Sequence, residues 1–269
     1  MDFDHPDFFP NRDSYYQAFV NFTLKLPEKG FAIINGDDEL VREYILENEE
    51  IDIEMLTFGF SKDNDFWIDK EDYIFYKNKK LDKLELNIIG NHNKLNALAV
   101  FALLCKLDYS SKNIVSAMKK FTGVKRRMEF KGKNQNGALI YDDYAHHPSE
   151  IKSTLQSAKD YFIDKKIYCA FQPHTFSRTK ALINDFADSF LDIEKLYLFD
   201  IYGSAREGEG DISIKDLMSL IQTRYPKLNV EYVANFDDIT SELENLTSED
   251  VFITMGAGNI WILGEKVVE

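Results

Sequence analysis

Cysteine is nearly absent from these 269 residues: only Cys105 and Cys169 occur, each inside an apolar run and neither in a CxxC pair. That leaves no dithiol motif and reads as two buried thiols in a reducing compartment. Long hydrophobic runs are missing too. No stretch approaches the ~18 consecutive apolar residues of a membrane span, and the opening MDFDHPDFFP lacks the basic region and apolar core of a signal peptide. A cytoplasmic protein is expected. Positive charge is in short supply, with 32 Lys and Arg against 46 Asp and Glu and a formal charge of -14. That balance argues against a nucleic-acid backbone or an anionic membrane as the main partner, although local basic residues can still hold a small anion. There is no repeat, no low-complexity segment and no Pro/Gly/Ser-rich linker. What is abundant is core material: 44% of residues are hydrophobic and 14% aromatic, which excludes a disordered or fibrous chain. The length suggests about two domains.

The two halves differ in texture. In the first, Tyr15, Tyr16, Phe19, Phe22 and Leu26 recur at helical spacing, predicting a helix over 12–26 that Pro27 stops. FAII (31–34) reads as a short buried strand, followed by the turn at 35–38 and an acidic helix to Glu47. Strands are expected at 55–58, 73–76 and, after a lysine turn at 77–80, in LELNII at 84–89. Helices follow from Gly90-Asn91 through HNKLNALAVFALLCKL and over 111–120, ending at the Gly123 turn. From about 137 the pattern becomes regular. Strands at 138–141, 166–171, 195–199, 229–233 and 250–255 alternate with helices at 148–162, 177–192, 213–223, 236–246 and 259–267. This is repeated βα, hence a parallel sheet covered on both faces. A domain boundary is expected between Thr122 and Lys125.

In such sheets ligands bind beyond the carboxyl ends of the strands. The segments there are Asp142-Asp143-Tyr144-Ala145-His146-His147-Pro148, Gln172-Pro173-His174-Thr175-Phe176-Ser177-Arg178-Thr179, Asp200 to Gly210 with Ser204 and Arg206, and Gly256-Ala257-Gly258-Asn259. All five histidines (His5, His92, His146, His147, His174) and four of seven arginines (Arg126, Arg127, Arg178, Arg206) fall in such segments or at helix starts. That clustering favours an anion-binding or proton-handling cleft. Each segment also has a plainer reading. Asp142 or Asp143 can be a helix N-terminal charge, and Asn93 and Asn96 a helix cap rather than a reader of a base edge. His174 can be a structural histidine, Arg126-Arg127 a solvated pair, and Gly256 to Gly258 simple turn geometry. Adjacent His146-His147 is poor zinc spacing.

Taken in order, Asp4-His5-Pro6-Asp7, Gly90 to Ala97 (GNHNKLNA), Arg126-Arg127, DDYAHHP, FQPHTFSRT, Asp200-Ile201-Tyr202 and Gly256-Ala257-Gly258 resemble the Mur ligase family, the ATP-dependent amide-bond ligases of peptidoglycan synthesis. DDYAHHP is shared with members that reattach recycled tripeptide to UDP-N-acetylmuramate, whereas FQPHTFSRT looks characteristic of those that add L-alanine to it. The resemblance implies an α/β chain: an incomplete Mur-type central ATPase domain over 1–124, then a Rossmann-like doubly wound parallel sheet domain over 125–269. It implies ATP and Mg2+ as cofactors, UDP-N-acetylmuramate and L-alanine as substrates, and an acyl-phosphate intermediate. Carried over by position, His5 helps hold magnesium, His92, Asn93 and Asn96 lie near the nucleotide, Arg127 reaches the ATP phosphates, and Asp143 lies near the ribose. Tyr144, His146, His147, His174 and Arg178 line the cleft and orient substrates. Thr175 stands where some relatives carry arginine, and Ser204 and Arg206 receive no role.

The sequence departs from the family in one respect: it contains no GxxxxGK[ST] or GxxGK[ST] phosphate loop, nor a UDP-binding domain. The family pattern places both upstream of Asp4, so a carboxyl-terminal portion of a ligase, inactive alone, is expected. The sheet strands that would flank FAII are missing with them, leaving open edges. Two other functions compete: a non-catalytic nucleotide or amino-acid binding fragment, and a metal-dependent hydrolase using DDYAHHP.

Overall fold

The computed structural model describes residues 3–5, 8–203 and 210–268. The chain divides into two compact units, Met1–Thr122 and Gly123–Glu269. Pro6, Asp7, Ser204 and Arg206 lie outside the described residues.

In the first unit α1 (Arg12–Thr23) starts on an Asn11 capping box, with Asn11 Oδ1 accepting from the Ser14 amide at 2.9 Å. It stops three residues before the expected Leu26. Pro27 disfavours helical backbone at Leu26, and the last turn tightens to i→i+3 bonds from Lys25 to Phe22 and from Leu26 to Thr23. The sheet has the order β1 (Phe31–Asn35), β2 (Glu54–Gly59), β3 (Phe66–Ile68), β4 (Tyr73–Tyr76), β5 (Lys79–Lys83). The first three are parallel and the last two antiparallel. β1 is only half-buried, not buried as expected, because it borders the sheet. The acidic helix is in fact a short α2 (Glu39–Val41) running into a π-helical turn at Arg42–Leu46, closed by Glu47 N–H on Arg42 O at 2.9 Å. The wider turn carries Ile45 into a small core with Val20 and Ile51.

LELNII is not a strand. The lysine segment expected to turn forms β5 instead, after a tighter turn around Lys77 (φ 53). Its lysines suit a sheet border, and Lys80 lies 3.2 Å from the Tyr73 ring centre. Leu84 and Leu86 leave the sheet to fill the core. There α3 (Asn91–Lys106) buries Leu98, Phe101 and Ala102 against Phe66, Ile68 and Ile74, and α4 (Ser111–Met118) adds Ile114. β3 was too short to read, though its Trp67 stacks on Phe75 with ring centres 4.0 Å apart.

The second unit carries the six-stranded order β10-β9-β8-β11-β7-β6, with β7 Leu139–Asp143, β8 Lys166–Phe171, β9 Lys195–Leu198, β10 Asn229–Tyr232 and β11 Asp250–Met255. All five expected strands are present and mutually parallel. The unforeseen β6 (Glu129–Lys133) is antiparallel to β7 and bulged between Phe130 and Gly132. Helices α5 (Pro148–Tyr161), α6 (Phe176–Ala181), α7 (Ile183–Ala187), α8 (Ile214–Arg224), α9 (Asp237–Glu244) and α10 (Trp261–Lys266) connect the strands. The single helix expected over 177–192 is broken at Leu182 (φ -115, ψ 18) into α6 and α7. Strand alternation covers both faces: Ala170 of β8 joins α9 and α10 residues, whereas Phe171 packs on Phe186 and Phe190. β11, flanked by β7 and β8, is buried at all six residues, as a central parallel strand must be.

Candidate functional site

The carboxyl ends of β7, β8 and β11 are adjacent, so the DDYAHHP, QPHTFSR and GAGN segments are brought together by register. Gly256 N–H donates to Asp143 O at 3.2 Å and Gln172 N–H to Met255 O at 3.0 Å. The β9 segment joins them through Tyr202 N–H to Pro173 O at 2.8 Å and Thr175 N–H to Tyr202 O at 3.0 Å. Gly256 has φ +142, and a Cβ there would strike the Gln172 carbonyl oxygen. Gly256→Ala is therefore expected to cost at least ~1–3 kcal/mol, read as a lower urea midpoint with unchanged slope. An unaltered midpoint would show the turn to be slack.

Asp142 is fully buried. Its Oδ1 accepts from Thr254 Oγ1 at 2.6 Å and its Oδ2 from Arg126 Nε at 3.0 Å. Burial raises its pKa, and the Thr254 hydroxyl and Arg126 guanidinium offset this only in part. Asp143, also buried, accepts from the Ala145 amide at 2.7 Å and the Met128 amide at 2.8 Å. Burial outweighs both donors and pushes its pKa up to about 6. Both oxygens of the carboxylate expected near a ribose are thus engaged inward by backbone amides, and the side chain presents no open face to a ligand.

The pH consequence has a definite sign. A folded pKa of about 6 above an unfolded value near 3.8 means that the folded state binds the Asp143 proton more tightly. Its stabilising contribution is complete below the unfolded value and lost as pH rises through about 6. Relative to Asp143→Asn, the native protein should gain stability as pH is lowered from 7 towards 4. Parallel pH profiles for the two proteins would contradict it.

Arg127 has a half-exposed guanidinium that pairs with Glu150 at 3.4 Å. Glu150 Oε2 also accepts from the His146 and His147 amides at 3.1 and 3.2 Å. Burial would raise the Glu150 pKa, but these bonds and the charges of His146 and Arg127 bring it below the usual range. His147 is the N-cap of α5, its ring accepting from the Ser149 amide, with Pro148 opening the helix. His146 Nδ1 stands 2.9 Å from Tyr144 O, so the proton sits on that nitrogen. The exposed Tyr144 ring lies within 4.9 Å of the Arg126 guanidinium and 5.8 Å of that of Arg127. Arg178 is buried, donating to His174 O at 3.2 Å, and the His174 ring stacks on Tyr202.

The first unit holds the remaining candidates. Gly90 (φ +110) caps α3, so neither asparagine serves as the cap. Asn93 is buried and donates its Nδ2 to Ile89 O at 2.7 Å, while Asn96 is exposed. His92 is half-buried on the same turn. His5 is exposed beside Asp4, 3.7 Å from its carboxylate. Among the described residues no group of three or more His, Cys, Asp or Glu side chains could hold a metal ion. Asp4 and His5 alone do not make a magnesium site, which needs six oxygen-rich positions. No helix of the described residues is long and apolar enough to cross a membrane.

Sequence reasoning missed the use of Arg126. A cation next to an anion-seeking Arg127 gave no hint that its side chain turns inward. The positive φ of Arg126 and Met128, unusual for such residues, is a backbone property invisible in composition.

Two family models match the chain: "Mur ligase middle domain" over residues 1–104 and "Mur ligase, glutamate ligase domain" over 126–258. UDP-N-acetylmuramate–L-alanine ligase of Caldanaerobacter subterraneus subsp. tengcongensis is 38% identical, covering 100% of this chain and 59% of its own length. That of Clostridium acetobutylicum is 36% identical over 98% of this chain and 58% of its own. The chain therefore spans about three-fifths of the curated relatives it matches. Among solved structures, UDP-N-acetylmuramate-alanine ligase of Thermotoga maritima aligns with a TM-score of 0.74 at 23% identity, over 98% of this chain and 56% of that one. Folylpolyglutamate synthase of Mycobacterium tuberculosis shares the fold at a TM-score of 0.71 and 13% identity, over 98% and 61%.

Proposed function

We propose, for a chain that belongs to the Mur ligase family and carries its middle and carboxyl-terminal domains, that it serves the ATP-dependent joining of L-alanine to UDP-N-acetylmuramate. The observation that carries the reading is the end of the second sheet, where a long ion pair, the one Arg127 makes among the described residues, stands beside a fully bonded acidic core. A guanidinium so loosely paired can exchange Glu150 for an anionic ligand at little cost. ATP, when bound, supplies the phosphoryl group that converts the muramate carboxylate into an acyl phosphate. The residues of this chain bind and orient. Arg127 neutralises developing phosphate charge. His174 and Arg178, stacked and bonded into one loop, orient the amino-acid and muramate groups together with Tyr144, His146 and His147. Asn93 and Asn96 with His92 serve the nucleotide; one Nδ2 proton of Asn93 is committed to Ile89 O, which leaves its oxygen and second proton to offer. Asp143 acts by fixing backbone rather than by touching the ribose.

The test is phosphate release that requires UDP-N-acetylmuramate and L-alanine together. Preference for the tripeptide in place of L-alanine would move the chain to the sibling activity. A second reading, a fragment that binds without turnover, is favoured by the missing GxxGK[ST] run. ATP turnover by the 269-residue chain alone would exclude it.

A further inference from the structure

We propose that Arg126 is a positioning residue, a strut that fixes the backbone on which Arg127 is displayed and locks it to the turn after β11. The functional part of this inference rests on the phosphate-reaching role proposed for Arg127. Two separate stretches of the second unit, the end of β7 and the turn after β11, converge on this one side chain. Its Nε donates to Asp142 Oδ2 at 3.0 Å, its Nη1 to Gly258 O at 3.2 Å, and its Nη2 to Gly256 O. The guanidinium lies 4.9 Å from the centre of the Tyr144 ring. The Arg126 backbone is pinned as well: its N–H donates to Glu129 at 2.8 Å and its carbonyl accepts from the Tyr144 amide at 2.7 Å.

Arg126 and Met128, on either side of Arg127, hold φ values of 60 and 44. Non-glycine residues keep such conformations only where surrounding bonds over-determine them. Here those bonds are the Arg126 fork and the Asp143 contact to the Met128 amide at 2.8 Å. Arg127 is held little by its own side chain, whose ion pair with Glu150 is 3.4 Å long. Its place follows from its neighbour. Serving a carboxylate and two divergent carbonyls at once requires a planar multi-donor group, which a lysine ammonium does not replace.

The test compares amide hydrogen exchange in the full 269-residue chain for the native protein, Arg126→Lys and Asn134→Ala. Lysine keeps the charge beside Asp142 but loses the fork. Asn134→Ala removes the buried bonds to the Leu243 and Leu246 carbonyls (3.0 and 2.9 Å) and lowers stability away from this corner. Exchange at the bonded amides of Met128, Tyr144 and Gly256 should accelerate together by at least tenfold in Arg126→Lys and stay near native in Asn134→Ala. Native-like exchange in Arg126→Lys, or the same acceleration in Asn134→Ala, overturns the strut.

A second measurement separates the two ideas. In the polypeptide that shows joint substrate-dependent phosphate release, Arg126→Lys should lower kcat with little change in KM, and Arg126→Lys with Arg127→Ala should be no slower than Arg127→Ala alone. Additive losses overturn the coupling to Arg127. If Arg127→Ala leaves turnover intact while Arg126→Lys still loosens the three amides, the reading of Arg127 fails and the strut stands.

Discussion

Asp142→Ala should lower the stability of the second unit by about 3–5 kcal/mol, the usual cost of removing one member of a buried ion pair. The truncation leaves Arg126, whose side chain is mostly buried, without its carboxylate, and strips Thr254 Oγ1 of its 2.6 Å acceptor. Water has poor access to either group, so the unpaired charge is not resolvated in the folded state. Asp142→Asn should cost less, because its amide oxygen can still accept from Thr254 or Arg126. Urea denaturation of the two variants at neutral pH measures the difference. Equal, small losses would mean that the pair contributes no more than a surface contact.

Arg127→Ala should leave the fold intact and, in a polypeptide competent for ligation, slow phosphate release about a hundredfold, equivalent to ~3 kcal/mol of transition-state stabilisation. The fold is spared because the side chain is half-exposed and its pair with Glu150 is long. Glu150 keeps the His146 and His147 amides as donors. A loss confined to kcat assigns the charge to the transition state, whereas a rise in KM alone would assign it to ground-state binding. Unchanged turnover would remove Arg127 from the reaction.

The parallel half of the chain was readable because its physics is local. Apolar runs such as IYCAF and DVFITM, buried on both faces, are separated by helices of ordinary length, and each expected strand appears. The first half was harder. LELNII has the composition of a strand, but Leu84 and Leu86 serve a core whose position depends on α3, and among the described residues no strand pairs with them. KNKK has the composition of a turn, yet only Lys77 and Asn78 turn while Lys79–Lys83 form β5, because a border strand tolerates lysines that an interior one would expel. At the candidate site, sequence identified the segments and not the direction of the side chains. Arg127 and Tyr144 point outward as a ligand site requires, while Arg126 and Asp143 turn in. Direction follows from register and from left-handed backbone at Arg126 and Met128, which residue identity does not encode.

The tandem carboxylates at the end of β7 look like one acidic motif and behave as two unrelated devices set back to back. Consecutive strand residues project to opposite sides of a sheet, so Asp142 serves the Thr254 and Arg126 side while Asp143 shares its side with Cys169. Duplication therefore brings no redundancy: neither can substitute for the other. A single-residue insertion or deletion within β7 would exchange their surroundings, delivering an acid to each location with none of the donors it was fitted to. The spacing between Leu139 and Asp143 should consequently tolerate replacement of side chains far better than any change in length.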